Sequence, residues 1–356
     1  MTKIALDERF FVIERNSRYN EDIIMFDVIT IGTATRDIFL GSPLFKVLND
    51  PKHLANIGFE TGEAQCFALG SKVNVDTFVS AVGGDAANAA VTFARQGFKT
   101  AMVARVGADE LGHAIVRELA DEKITILNPH HTGETDYSTI LMAPGGERTI
   151  LVHRGTPLSR KDVPFAKLKA KWAYIAPANI QPAIMRDIIA ALMKNKVRIA
   201  INPSRYYIEN AAKDLKVFME KADIVIMNRE EVAELTGVPY GKEKQLFKKA
   251  MDVTRGIMIM TDGAHGALAS DGKNVYRSGI FKQNEPVYRT GAGDAFGAGF
   301  VAGLIRSNDI GYALRLAAAN STSVIEHIGA QKGILTKKHF EDKRWKFLNF
   351  DVETSL

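Results

Sequence analysis

Apolar, β-rich runs recur along this chain, and each halts at a glycine, a proline or a helix-capping residue before a helical stretch begins. Phe26-Asp27-Val28-Ile29-Thr30-Ile31-Gly32 is the first. Thr100 to Gly107, Trp172 to Ala176, Val197 to Pro203, Ile224 to Met227 and Gly256 to Thr261 follow it. Between them lie segments with helical signatures: Asp85 to Gly97, Asp109 to about Asp121, Pro182 to Asn195, Ala211 to Lys221 and Lys242 to Thr254. Short apolar runs alternating with helices are the pattern of βαβ units around a parallel sheet. The expected fold class is α/β, doubly wound, with helices on both faces of the sheet. At 356 residues the chain forms one large domain, or one with a smaller lobe.

Two stretches break the alternation. Residues 40–81 are irregular, with Ala64 to Leu69 and Val73 to Val79 reading as strands with polar interruptions. Thr139 to Met142 and Arg148 to His153 flank a Gly-containing loop and read as a hairpin. Together they suggest a small β-sheet lid, with strands within about 40–81 and 134–155. Residues 1–24 are expected to be an N-terminal extension, 25–345 the main domain and 346–356 a C-terminal tail.

One loop points to chemistry. In Arg289-Thr290-Gly291-Ala292-Gly293-Asp294, small residues run into an aspartate and then into an apolar, helical stretch through Ile305. Backbone N–H groups at a helix N-terminus suit a phosphate. A carboxylate beside that anion makes sense as a base taking a proton from an attacking hydroxyl. A glycine-rich turn capped by Asp294 is the simpler reading of the loop alone. A dinucleotide fingerprint fits poorly, because the third glycine is displaced to Gly297. Asp37, just past the strand ending at Gly32, has the chemistry to hold two hydroxyls of a polyol, or it is a solvated loop aspartate. Asp85 and Asn88 share one face of a first helical turn; Asp85 as a simple cap is the competing reading.

Composition narrows the function classes. The net charge of +5 comes without a long basic run or aromatic-basic alternation, so nucleic acid is not expected as a partner. The single cysteine, Cys66, excludes an intrachain disulfide and a cysteine-rich metal site. No apolar run reaches membrane-spanning length, and no secretory signal is recognisable, so a cytoplasmic location is expected.

Taken in order, these motifs resemble the ribokinase-like (PfkB-type) carbohydrate kinase family. The strand ending at Gly32 with Asp37, Gly83-Gly84-x-x-x-Asn88, Gly107-x-Asp109-x-x-Gly112, Asn228-x-x-Glu231, Thr261-x-Gly263-x-x-Gly266 and Gly291-Ala292-Gly293-Asp294 occur in that family's order, over roughly residues 26–340. The resemblance implies a ribokinase-like α/β/α sandwich with a small β lid, and ATP-dependent phosphorylation of a sugar's hydroxymethyl group. It implies Asp294 as general base and the backbone N–H groups of Gly291, Ala292 and Gly293 as the anion hole. It implies Asp37, Gly84, Asp85 and Asn88 as the substrate site, with Asn228, Thr261, Gly263 and Gly266 at ATP. Glu231 and Asn228 would place Mg²⁺ through water. A homodimer through the lid is a further family expectation.

The chain also departs from the family. Tyr288-Arg289-Thr290 stands where many members carry Asp-Thr-Thr, which puts activation by a monovalent cation such as potassium in doubt. Asp85 replaces the lysine of ribokinases proper and argues against ribose. His153-Arg154 ends the hairpin, within reach of an acidic or phosphorylated substrate. A nucleoside (adenosine-like) kinase is the alternative, with Phe39, Phe45, Phe59 and Phe67 available for stacking. A non-catalytic sugar or nucleotide sensor is another, and a nicotinamide oxidoreductase lies further off.

Overall fold

A computed structural model describes residues 25–59, 62–128, 133–144, 148–284 and 288–353; the expected extension 1–24 lies outside them. The N-terminal half runs β1 (Phe26–Thr33), β2 (Thr35–Gly41), β3 (Lys46–Asn49), α1 (Pro51–Asn56), β4 (Glu63–Cys66), β5 (Thr77–Gly83), α2 (Asp85–Arg95), β6 (Thr100–Arg105), α3 (Glu110–Asp121), β7 (Thr125–Ile126), β8 (Tyr137–Met142) and β9 (Arg148–His153). Next come β10 (Ala170–Ile175), α4 (Pro182–Lys194), β11 (Arg198–Ile201), α5 (Arg205–Asn210), α6 (Ala212–Met219), β12 (Ile224–Asn228), α7 (Arg229–Thr236), α8 (Glu243–Met251) and β13 (Ile257–Thr261). The chain closes with β14 (Ala267–Ser270), β15 (Val275–Ser278), α9 (Ala292–Ser307), α10 (Ile310–Ile325), α11 (Lys337–Phe340) and β16 (Phe350–Glu353).

The main sheet has the order β16-β15-β14-β13-β12-β11-β10-β1-β6-β7. From β7 to β13 every pairing is parallel; β14, β15 and β16 extend that edge antiparallel. Parallel strands covered on both faces need apolar side chains on both, which is why β12 reads as an apolar run up to Asn228, and β1 and β10 are largely apolar. Ile29 and Ile31 of β1 belong to the apolar layer that also holds residues of α4, α6 and α8, whereas Val28 belongs with Tyr174 and Ile226 to the layer of α9 and α10. From β1 the chain crosses to β6 on one side and later to β10 on the other. That reversal opens a crevice at the C-terminal ends of β1 and β10, where doubly wound sheets bind ligands.

A second sheet, of order β5-β2-β8-β9, stands beside that crevice. Its inner face carries an apolar patch in which Phe39, Ile140 and Met142 are buried, with Tyr288 against Phe39. The structure corrects the sequence reading of these strands. Ala64 to Cys66 does not join this sheet; β4 pairs antiparallel with β3 in a separate two-stranded sheet. The strand assigned to Val73–Val79 starts only at Thr77, preceded by a single backbone bond from Asp76 N to Gly41 O at 2.9 Å. β2 was missed altogether. Its charged pair Arg36-Asp37 hides a strand, yet both residues are buried, Arg36 through an ion pair to Glu118 at 2.8 Å. Asp37 therefore sits in a strand of the small sheet and not in a loop. The expected tail also contributes: residues 350–353 form the edge strand β16.

Candidate active site

Helix α9 carries the loop singled out above. Gly291 is its N-cap, with φ 80°, and a Cβ there would lie 2.5 Å from the Cβ of Ala330. Only glycine meets both demands, so the turn places Asp294 reproducibly on the first helical turn. Asn320 of α10 locks this helix start: its Nδ2 donates to Ala295 O at 2.9 Å, and its Oδ1 accepts from Leu335 N at 2.9 Å. Opposite, α2 begins at Gly84, whose φ of 94° and 2.7 Å approach of a would-be Cβ to Thr33 O again require glycine. The N-termini of α2 and α9 thus meet. Asn88 Nδ2 donates to Asp294 Oδ2 at 2.9 Å.

Two clefts adjoin across the start of α9. One, of about 470 Å³, is lined by Asp37, Gly84, Asp85, Asn88, Gly291 and Asp294 among others. It gathers every residue expected at the substrate, together with the expected base. The other, of about 310 Å³, is lined by Thr261, Gly263, Gly266, Ala292 and Gly293, with Arg289 and Phe296. It gathers the residues expected at the nucleotide, except Asn228.

Asn228 and Glu231 line neither cleft. They form a reciprocal cap on α7: Glu231 N donates to Asn228 Oδ1 at 2.8 Å, and Asn228 N donates to Glu231 Oε2 at 2.9 Å. Burial nevertheless pushes the Glu231 carboxyl up to about 7, with the charges of Glu230 and Asp85 adding to it. Among the described residues, no group of three or more His, Cys, Asp or Glu is placed to hold a metal ion.

The substrate cleft concentrates acid. Asp294 is half-buried by surface area, yet protein surrounds it. Burial pushes its carboxyl well above the usual carboxylate range, the negative charge of Asp85 adds to that, and the Asn88 hydrogen bond opposes it. Asp85 is raised by burial and lowered by the Arg154 guanidinium. Burial raises Asp37 too, against hydrogen bonds from Thr35, at 3.0 Å, and Ser138. A raised, shielded carboxylate facing an open cleft is the environment of a general base.

Of the pair His153-Arg154, only Arg154 lines the cleft; His153 bonds Glu134 at 3.1 Å and stacks on Tyr137. Sequence reasoning missed Arg205 and Tyr206 on the cleft wall. They open α5, immediately after the C-terminal end of β11, and that position was the available signal. It also missed Gln331, which donates to Asn88 Oδ1 at 3.0 Å. Asp109 proves structural: it caps α3 at Gly112 N and holds Thr135 N, both at 2.8 Å.

A doubly wound sheet, a small sheet beside its switch point and a glycine-led helix start between two clefts together define the ribokinase fold. Arabidopsis thaliana ribokinase complexed with ribose and ATP superposes with a TM-score of 0.71 at 20% identity, over 91% of this chain and 100% of that one. The chain belongs to the pfkB family of carbohydrate kinases, whose sequence pattern matches residues 55–337. It is 25% identical over 280 residues to the ATP-dependent 6-phosphofructokinase of Thermoanaerobacterium thermosaccharolyticum, covering 73% of this chain and 84% of that protein. It is 28% identical over 279 residues to the ribokinase of Haemophilus influenzae, covering 76% and 89%. The protein is accordingly a phosphotransferase with an alcohol group as acceptor.

Proposed function

We propose that this protein transfers the terminal phosphoryl group of ATP to a hydroxymethyl group of a sugar, with Asp294 as general base. The observation that carries this reading is the meeting of two clefts across the first turn of α9, with Asp294 facing one and Gly293 the other. The acceptor hydroxyl gives its proton to Asp294. Its oxygen forms the new bond to phosphorus, and the bond to the bridging oxygen breaks, so that ADP leaves with the electron pair. Backbone N–H groups of Gly291, Ala292 and Gly293 stabilise the charge on the phosphoryl oxygens. Asp37, Asp85 and Asn88 orient the acceptor.

Magnesium would arrive with the ATP phosphates and neutralise them. Glu231 and Asn228 already use part of their bonding capacity on each other, so they would reach the ion through water. Tyr288 presents a ring to Phe39 where a cation-binding carboxylate is expected, and turnover independent of potassium is part of this reading. So is a cytoplasmic location. A homodimer through the small sheet belongs here as well. On its outer face Leu40, Phe78 and Leu141 lie side by side, with Ile38 and Leu151 in the next row.

A sugar is favoured over a nucleoside because Phe39, Phe45, Phe59 and Phe67 are all absent from the substrate cleft's lining. Phe39 is buried in the small sheet, and Phe45 packs edge-on against Phe67. Arg154 and Arg205 at the cleft favour a sugar acid or sugar phosphate. The test is ATP consumption with Mg²⁺ across neutral sugars, sugar acids, sugar phosphates and nucleosides, with and without potassium. Asp294→Ala should abolish turnover and leave ATP affinity within a few-fold; unchanged turnover would remove Asp294 as base.

A further inference from the structure

An asparagine amide is nearly symmetric in shape, so its hydrogen-bond partners decide which end faces a neighbour. Asn88 has two such partners. Asp294 accepts from its Nδ2 at 2.9 Å, and Gln331 Nε2 donates to its Oδ1 at 3.0 Å. Gln331 thus completes a relay that runs from its own amide through Asn88 to the carboxylate. The same helix anchors both ends of the arrangement. Arg95 lies about two turns after Asn88 on the same face of α2. Its Nη1 donates to Gln331 O at 2.7 Å and to Ile334 O at 3.1 Å, while Glu122 pairs with the same guanidinium.

We infer that Gln331 is a positioning residue: by donating to Asn88 Oδ1 it turns the Asn88 NH₂ toward Asp294 and keeps that carboxylate ionised. The inference rests on Asp294 being the base. Reversed together, the two amides would offer Asn88 Oδ1 to Asp294, which only a protonated carboxyl satisfies. The donor-facing arrangement and the ionised base therefore support each other. The other charges around Asp294 work differently, and Arg205 at the start of α5 lines the same cleft while pairing with Glu209. Asp85 on α2, Asp37 on β2 and Glu231 on α7 oppose its ionisation, the Tyr174 phenol lies beneath, and Arg154 after β9 acts on Asp85. Asn88 is the hydrogen-bond donor to it among the described residues, so a residue that orients Asn88 sets the base's working range.

The test compares the pH dependence of kcat in Gln331→Met, Gln331→Lys and Gln331→Glu. Methionine is neutral and of similar length but donates nothing. On the acid limb its kcat should fall about three- to tenfold at a given pH, with the alkaline plateau and the KM for ATP unchanged. Lysine can only donate, and its limb should lie at or below that of the wild type. Ionised glutamate can only accept, and wherever it is ionised its limb should lie above that of methionine. Charge alone orders lysine and glutamate the same way, so the neutral Gln-to-Met comparison decides. A packing defect would lower kcat at every pH, and thermal melting of each variant checks for one. A Met profile that superposes on the wild type, or a loss equal at all pH values, overturns the inference. Asp294→Asn separates the two levels. If that variant is inactive while Met superposes, only the role of Gln331 fails; if it turns over normally, the base assignment fails instead.

Discussion

The Asn88 side-chain amide donates a 2.9 Å hydrogen bond to the Asp294 carboxylate, joining the first turns of two helices that lie 206 residues apart in the chain. The bond opposes the effect of burial and of Asp85 on Asp294. Replacing Asn88 by alanine removes the donor, so the Asp294 pKa rises and its ionised fraction at a given pH falls. The acid limb of kcat should move to higher pH, and a profile of kcat from acid to alkaline pH measures it. An unmoved limb would contradict the role given to this bond.

Gly291 and Gly293 should separate stability from catalysis. Gly291→Ala meets a left-handed φ and the Ala330 side chain, and should lose about 1–3 kcal/mol of stability. Around a Cβ at Gly293 nothing lies within 4 Å. Gly293→Ala should melt like the wild type, yet raise the KM for ATP about tenfold or more, because the methyl group enters the nucleotide cleft. Calorimetry and initial rates read the two effects independently.

Glu231 carries a stability signature of its own. Its folded-state pKa is about 7 against an ordinary value of 4.5. Between those values the folded protein holds a proton that the unfolded chain has released. This contribution to stability is therefore fully present below about 4.5 and is lost as pH rises through about 7. Glu231→Gln keeps the reciprocal cap and removes the titration. The variant should melt a few degrees higher than the wild type at alkaline pH, with the difference vanishing in acid. Its turnover should fall at all pH values if Glu231 helps hold magnesium.

Arg154 and Arg205 should affect acidic acceptors selectively. Each alanine variant should raise KM about tenfold for a sugar acid or sugar phosphate and leave neutral sugars within twofold. Equal effects on charged and neutral sugars would make both arginines general parts of the wall.

Tyr174 invites the opposite kind of substitution. Its side chain is 1% exposed, and its hydroxyl has no hydrogen-bond partner among the described residues. A buried hydroxyl without a partner is destabilising. Tyr174→Phe should therefore leave the melting temperature unchanged or raise it, whereas a hydroxyl engaged through water would show as a loss.

Much of this molecule is legible in one dimension because the governing forces are local or periodic. The parallel strands announce themselves because burial on both faces demands uninterrupted apolar runs, as at Ile224 to Met227. The cap of α7 is readable in Asn228-x-x-Glu231 because its partners sit within one turn. Helix α9 is readable because a glycine at its N-cap and small residues after it have few other uses. The strand β2 was hidden because its buried Arg36 and Asp37 depend on distant partners, Glu118 and Ser138. The pairing of β4 with β3 was hidden because short, exposed strands carry little register information.

The sequence by itself determined the alternation of strands and helices, the glycine-led start of α9 and the order of the motifs, since each follows from backbone geometry or periodic burial. Only the tertiary structure decided that Asn88 faces Asp294, that Gln331 stands behind Asn88, and that Arg154 and Arg205 share the acidic cleft. Those contacts join segments far apart in the chain. Their hydrogen bonds and charges act over a few ångströms, and the folding of the sheet alone brings them within that distance.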